Sequence, residues 1–596
     1  MQHFFWLVNK YWGMILAAVI ALSVILCAGK WACPGDEVVA DGETFVVLLD
    51  SSPAGLDPRF STTHASAQLV GLLHEGLIST DTPDGTMEYR LAEEIEQTSP
   101  TRYELRLRSD ALFHDGVPVT SDDVEYTYMT LPEVRSPLAG TAAHIKRFDI
   151  IDEHNFVITL HDVHAPFMND LSMGILPRHR CEEEPVVTPF PQIVPFHVSS
   201  GLCFEPVMSP VERGAGIVPV EGDAPYQGRW AGYTDRLWAP GCSVVYNIQR
   251  SNVCPGDPVG AGAFEFVRRE GGLYVEFKAF DDYLDGRPHI DRLAFRVIRD
   301  DNARILALLG GTADLAQNAV SPMMMPVVED TPGLQVEGAP SFKYTYLAFN
   351  LEDPHLKHQK VRQAIAHAID RERIIEYKFA GTARLSTGIF VPEHWAYEGD
   401  VATYDYDPER ARQLLDDAGF LAQEGEPRFE LEFKVSANNF RRSLALLIAQ
   451  QLGEVGIDVR VRAYEWGTFF DDIRSRNFQL TTLQWPSVQE PNLLRWIFHS
   501  DNIPTADARA AGANRGAYRN DRVDELLDRG KREPDRERRK EIYAEVQQIL
   551  AEELPYISLW HEDNVAVLRE GVEGYYTTPN AYFDALRTVR PAPTDR

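Results

Sequence analysis

Alternation of apolar and polar residues with a period of two picks out strands along much of the chain. Tyr103-Glu-Leu-Arg-Leu107, Phe156-Val-Ile-Thr-Leu160, Leu273-Tyr-Val-Glu-Phe277 and Leu293-Ala-Phe-Arg-Val297 each carry it. Helical spacing is equally plain. Ala411, Leu414, Leu415 and Ala418 form one apolar stripe, with Asp407 placed to cap it, Pro408 suited to the first turn and Gly419 to end it. Val361, Ile365, Ala368 and Ile369 form a second stripe. The run from Leu444 to Leu452 is a third, ending at Gly453 and Gly456 before Ile457-Asp-Val-Arg-Val461 alternates as a strand. A last helix pair is predicted from Asp521 to Glu553, split at Pro534. Strands and helices interleaved in this way imply several α/β or α+β units. The stretch 181–257 stands apart, dense in Pro and Gly and poor in periodic runs, and reads as an insertion.

One segment has no polar face at all. From Tyr11 to Ala28 the chain is uncharged and about 18 residues long, nearly enough for a helix to cross a hydrocarbon core. Trp6, Tyr11, Trp12 and Trp31 stand where interfacial aromatics belong. A cleaved signal peptide is the competing reading. Cleavage favours small residues, and Leu26, Lys30 and Trp31 spoil the positions around Cys27 and Cys33. The expectation is therefore an uncleaved N-terminal transmembrane helix within 1–42, which holds this anchor and a linker. With Lys10 before it and Asp36 and Glu37 after it, the long remainder is expected outside the cytoplasm.

Cysteine usage agrees with that compartment. Of 6 cysteines, Cys181, Cys203, Cys242 and Cys254 fall in the insertion without the close spacing of a zinc or redox motif. Two disulfides stapling an irregular excursion are expected, with all three pairings open. The charge balance, 58 Lys and Arg against 89 Asp and Glu, repels phosphate backbones, so a nucleic-acid partner is excluded.

A search for catalytic chemistry finds no His-Glu-x-x-His, phosphate loop, Gly-x-Ser-x-Gly elbow or dinucleotide glycine signature. His161 and His164 follow an amphipathic strand and read as solvated, not as metal ligands. Asp407 is taken by its helix cap, which leaves Asp405 without a catalytic partner. No enzyme, cofactor or metal site is expected.

An ordered series of short motifs carries more. Gly55-Leu-Asp-Pro58, Glu75-Gly-Leu77 and Arg90-Leu-Ala-Glu93 lead to Phe113-His-Asp-Gly-Val-Pro-Val-Thr-Ser-Asp-Asp-Val124. Pro258-Val-Gly-Ala-Gly-Ala-Phe264, Asp282-Tyr-Leu-Asp-Gly-Arg-Pro288 and Ala303 to Leu315 follow. Tyr346-Leu-Ala-Phe-Asn350, Val361 to Arg371 and Tyr464-Glu-Trp466 complete the set. In this order they resemble the extracytoplasmic solute-binding proteins of ABC importers, the dipeptide- and oligopeptide-binding family (family 5). The resemblance implies a two-lobed, mixed α/β periplasmic-binding-protein fold with an extra subdomain on the first lobe. The first lobe is expected from 43–75, 258–315 and 554–596, the subdomain from 76–257, and the second lobe from 316–553. It also implies a peptide or peptide-like solute held between the lobes and passed to membrane permease subunits. A metal chelate, an oligosaccharide or an opine is the alternative solute, and a membrane-tethered peptide hydrolase is the alternative of another class.

The ligand site implied by the resemblance pairs Thr62 and Thr63 on the first lobe with Trp485, Ser487 and Glu490 on the second, with Tyr346 and Asn350 nearby. Peptide binders of this family hold the ligand's amino terminus with an aspartate shortly after a tryptophan. Here Ser487 or Val488 takes that place, and Glu490 is the nearby carboxylate, either as a longer-armed substitute or as the start of the next helix. The arginine used for the carboxyl terminus has no clear counterpart, although Arg441 and Arg442 lie close by in sequence. Arg362 and Arg371 are expected in surface or interdomain pairs.

Overall fold

The computed structural model describes residues 44–61, 63–83, 85–181, 254, 256–505 and 512–592, together with the short strands Pro191–Gln192 and Val245–Tyr246. The apolar N-terminal segment expected to cross a membrane lies outside these residues. Among the described residues no helix is long and apolar enough to cross a membrane.

The predicted elements form where the pattern placed them. Strands run over Arg102–Leu107, Asn155–Leu160, Tyr274–Ala279 and Arg292–Val297. The helix Pro408–Asp417 is capped by the Asp407 carboxylate, which accepts from the Arg410 N–H, and Gly419 beyond it takes a positive φ of 88°. The final pair is Asp521–Arg532 and Arg536–Glu553, separated at Pro534.

Three sheets organise these elements. The first has seven strands in the order Phe264–Glu270, Tyr274–Ala279, Arg292–Val297, Thr44–Leu49, Leu315–Gln317, Asn564–Arg569, Leu334–Ala339. Its central strand Thr44–Leu49 pairs in parallel with both neighbours and is buried throughout, as a strand covered on both faces must be. Phe45 and Val47 enter one core and Val46 and Leu48 another. A second sheet has six strands: Ala383–Leu385, Tyr556–Glu562, Tyr344–Phe349, Leu480–Trp485, Phe429–Ser436, Ile457–Tyr464. A third, of four antiparallel strands between Ala92 and Leu160, packs its own core around Phe113, Phe156 and Phe167.

Sheet membership moves two of the expected limits. Leu334–Ala339 belongs to the first lobe's sheet and Tyr556–Glu562 to the second lobe's, so the lobes meet beyond 316 and beyond 554. The chain passes between the large sheets at Pro340-Ser-Phe-Lys343 and returns at Asp563. Ser341 Oγ donates to the Glu562 carbonyl and ties the two crossings together. Two adjacent connections of this kind form a hinge.

Arg362 and Arg371 depart from expectation. Both work inside the second lobe: Arg362 donates to the carbonyls of Glu553, Leu554, Leu356 and Lys357, and Arg371 to those of Ser386, Ser558 and Tyr404. A guanidinium can satisfy several carbonyls at strand and helix ends at once, which is why these two are internal ties and not surface pairs.

The insertion is closed at its neck by a disulfide between Cys181 and Cys254, 73 residues apart. Cys203 and Cys242 lie outside the described residues.

Candidate functional site

The gap between the lobes collects charge at its hinge end. Lys343 occupies the first crossing, where its carbonyl accepts from His561 Nδ1 at 2.8 Å. Its side chain is half-buried by area yet surrounded by protein, and burial lowers its pKa to about 8. No described residue bonds its ammonium. Glu562, Arg441, Asp563 and, from the first lobe, Asp50 supply the surrounding charges.

Across the gap His64 begins the helix His64–Leu73 and stacks on Tyr582 at 5.7 Å. Burial, reinforced by the Lys343 charge, brings its pKa down to about 4, so it is neutral at pH 7. Four contacts hold the lobes together nearer the rim. Ser487 Oγ donates to Asn580 Oδ1 at 2.8 Å, Thr80 Oγ1 to Gln489 Oε1 at 3.1 Å, and Asn169 Nδ2 to Glu490 Oε2 at 3.2 Å. The fourth runs from the Ala165 N–H to the Lys531 carbonyl at 3.1 Å.

The residues singled out from the sequence scatter over different roles. Thr62 lies outside the described residues. Thr63 is exposed and caps its helix, accepting from the Ser66 N–H at 3.3 Å. Tyr346 is a core residue, stacked between Tyr344 and Tyr556 at 5.5 and 4.3 Å. Asn350 donates to the carbonyls of Arg476 and Phe478 at the strand end away from the hinge, where it fixes a turn. Both were expected beside the solute; their position in the strand Tyr344–Phe349 and just after it turns them to the lobe's interior instead.

Of the two readings of Glu490, the geometry matches the start of the next helix: its carbonyl accepts from the Leu493 N–H at 3.0 Å, ahead of the helix Leu493–Phe498. Glu490 does not stand open to a ligand amine: Arg539 donates to Oε1, the Asn492 N–H does so at 3.2 Å, and Asn169 reaches Oε2. Burial pushes its carboxyl above the ordinary value against the opposing Arg539 charge. Arg539 comes from the helix Arg536–Glu553, remote in sequence, so no local pattern announced this pair. Arg441 likewise is engaged, its Nη1 donating to Glu562 Oε1 at 2.9 Å. Ser487 bridges the lobes. Trp485 ends its strand beside that bridge, and its Nε1 is buried with no acceptor among the described residues.

Sequence reasoning missed Lys343, His64 and Arg515. Lys343 lies four residues after Ala339 in a connection that looks like any turn. Arg515 lies within Ala513-Asn-Arg-Gly516, where Gly516 is the one usable signal: a Cβ there would stand 2.5 Å from the Phe349 carbonyl oxygen.

Two lobes on a two-strand hinge, with charged and aromatic groups turned into the gap, define a protein that closes around a solute. The chain belongs to the bacterial extracellular solute-binding proteins, family 5, whose middle region matches residues 86–505. It is 24% identical to the oligopeptide-binding protein AppA of Bacillus subtilis, across 95% of this chain and 96% of that one. The solved structure of AppA with a nonapeptide superimposes with a TM-score of 0.71 at 23% identity, covering 92% of this chain and 99% of AppA. NikZ of Campylobacter jejuni, solved with Ni(L-His), gives 0.73 at 22% identity, covering 92% and 99%. The two-lobed periplasmic-binding-protein fold is therefore the fold of this chain, which is an extracytoplasmic binding protein and not an enzyme.

Proposed function

We propose that this protein captures peptides or peptide-like solutes between its lobes and delivers them to the permease subunits of an ABC importer. Lys343 carries the reading. It is an ammonium held where burial disfavours its charge, at the floor of a closable gap, with no bonded partner among the described residues. Such a group is stabilised when an enclosed solute brings a carboxylate to it. Similarity across nearly the whole length to a protein named for oligopeptide binding supports the peptide class. Trp485 and the Ser487–Asn580 bridge form the rim of the site, and Arg441 acts through Glu562. The segment from Tyr11 to Ala28 tethers the protein to the cytoplasmic membrane.

Full-length protein purified in detergent, denatured and analysed for released mass tests this. An intact peptide at about one per protein is the expected result. A released metal chelate or sugar would replace the solute class, and conversion of added peptides to fragments would replace binding by hydrolysis. Recovery of the full-length mass in the membrane fraction, resistant to high salt, is expected for the tether; a shorter soluble form would overturn it.

A further inference from the structure

Away from the hinge charges, Arg515 in the second lobe is a buried cation with neither a carboxylate nor a carbonyl bonded to its side chain among the described residues. Arg515 is 9% exposed. No described carboxylate forms an ion pair with its guanidinium, and no described acceptor takes a hydrogen bond from it. Its Nε is sealed from solvent without a partner. Two aromatic faces lie against it: the Phe470 ring is 5.0 Å away and the Trp485 ring 5.9 Å. The Trp485 Nε1–H beside it is a second buried donor without an acceptor. The ladder continues outward, with Trp466 stacked on Phe470 at 5.4 Å and Trp496 against Trp485 at 5.5 Å; Trp496 is 41% exposed.

The backbone carrying Arg515 is fixed firmly. The Asn514 side chain donates to the carbonyls of Phe498, His499 and Tyr518 and accepts from the Tyr518 N–H. The Leu351 N–H donates to the Gly516 carbonyl at 2.9 Å. A buried charge left unpaired on a rigid support is costly, and cation–π contacts with two rings offset only part of that cost. Two orphaned donors on neighbouring side chains are complementary to a planar anion that accepts two hydrogen bonds.

We propose that Arg515 and the Trp485 indole N–H form an anion subsite that receives a carboxylate of the solute. Ser487, which joins the lobes through Asn580, follows Trp485 by two residues, so the tryptophan stands next to a contact between the lobes. A glutamate side chain of a bound peptide and a free small dicarboxylate share the required chemistry. The peptide source rests on the function proposed above; the subsite itself does not.

Calorimetry on the full-length protein with Ala-Glu-Ala-Ala, Ala-Gln-Ala-Ala and glutarate tests it. Wild type should bind the glutamate peptide at least about ten-fold more tightly than the glutamine peptide. Arg515→Gln should abolish that ratio while retaining the glutamine peptide, and Trp485→Phe, which keeps the ring and removes the donor, should reduce it several-fold. Glutarate binding lost in Arg515→Gln, with neither peptide bound by wild type, would uphold the subsite and overturn the peptide reading. An unchanged ratio in both variants, or no binding of any probe by wild type, would overturn the subsite.

Discussion

Glu562 shows how one residue can bear several demands in this cleft. It accepts from Arg441 Nη1 at 2.9 Å, Thr345 Oγ1 at 3.0 Å and Trp560 Nε1 at 3.3 Å. Burial raises its pKa, but the charges of Arg441 and Lys343, with bonds from Arg441 and Gln484, outweigh this and hold it at about 2. A carboxyl depressed from 4.5 contributes stability that is complete above 4.5 and lost as the pH falls toward 2. The shift corresponds to roughly 3 kcal/mol. Glu562→Gln should therefore unfold more easily at pH 7 by about that amount, and the difference from wild type should shrink through the window from pH 4.5 to 2. Denaturant titrations at several pH values measure it; a constant difference down to pH 2 would contradict the assignment. Glu562 itself was not among the residues picked from the sequence, because its partners come from three different strands and a helix.

Among the elements, the excursion after the subdomain depends on covalent closure. Cys181 ends the short helix Arg178–Cys181, and its bond to Cys254 returns the chain to the first lobe. Arg59 Nη2 contacts Cys254 Sγ at 3.6 Å, which docks the junction onto the loop leading to the helix His64–Leu73. Closing a loop of this length removes about 4 kcal/mol of chain entropy from the unfolded state. Joint replacement of Cys181 and Cys254 by Ser should lower the melting temperature, and reductant should lower it by more in wild type than in the variant. Peptide mapping without reduction should recover the Cys181–Cys254 pair; recovery of Cys181 joined to Cys203 or Cys242 would refute it. The cysteine spacing gave the presence of disulfides as an expectation but left the pairing open, since three connectivities share one sequence.

For the molecule as a whole, the contact between subdomain and second lobe is expected to respond to protons. His144 stacks on His164 at 3.8 Å, and His164 Nε2 pairs with Asp170 at 3.2 Å. Beside them the Ala165 N–H meets the Lys531 carbonyl on the opposite lobe. Burial, then the His164 and Lys531 charges, lowers the His144 pKa to about 4, with Asp162 opposing and His161 adding. An exposed imidazole titrates near 6.5. The closed contact is thus unaffected above that value and penalised as the pH falls from 6.5 toward 4, when the open form takes up the proton more readily. Small-angle scattering of the full-length protein should show a larger radius of gyration at pH 4.5 than at pH 7.5. His144→Phe should reduce the change, and an identical expansion in that variant would remove this pair from the explanation.

The positions of strands and helices, their caps and the order of the family's motifs were determined by the sequence alone, because periodicity and capping are local and a few residues suffice to express them. The split of the chain into lobes was legible only approximately: Leu334–Ala339 and Tyr556–Glu562 look like any other strands until their sheet partners are known. The site was decided by tertiary structure. The sequence leaves Glu490 open between a ligand carboxylate and a helix start, and Arg539, 49 residues on, is what engages it; Tyr346, expected as a lining residue, is flanked by rings on both sides. Lys343 and Arg515 are ordinary in sequence; what distinguishes them is a charge surrounded by protein with no bonded partner among the described residues, a property that exists only once distant segments have come together.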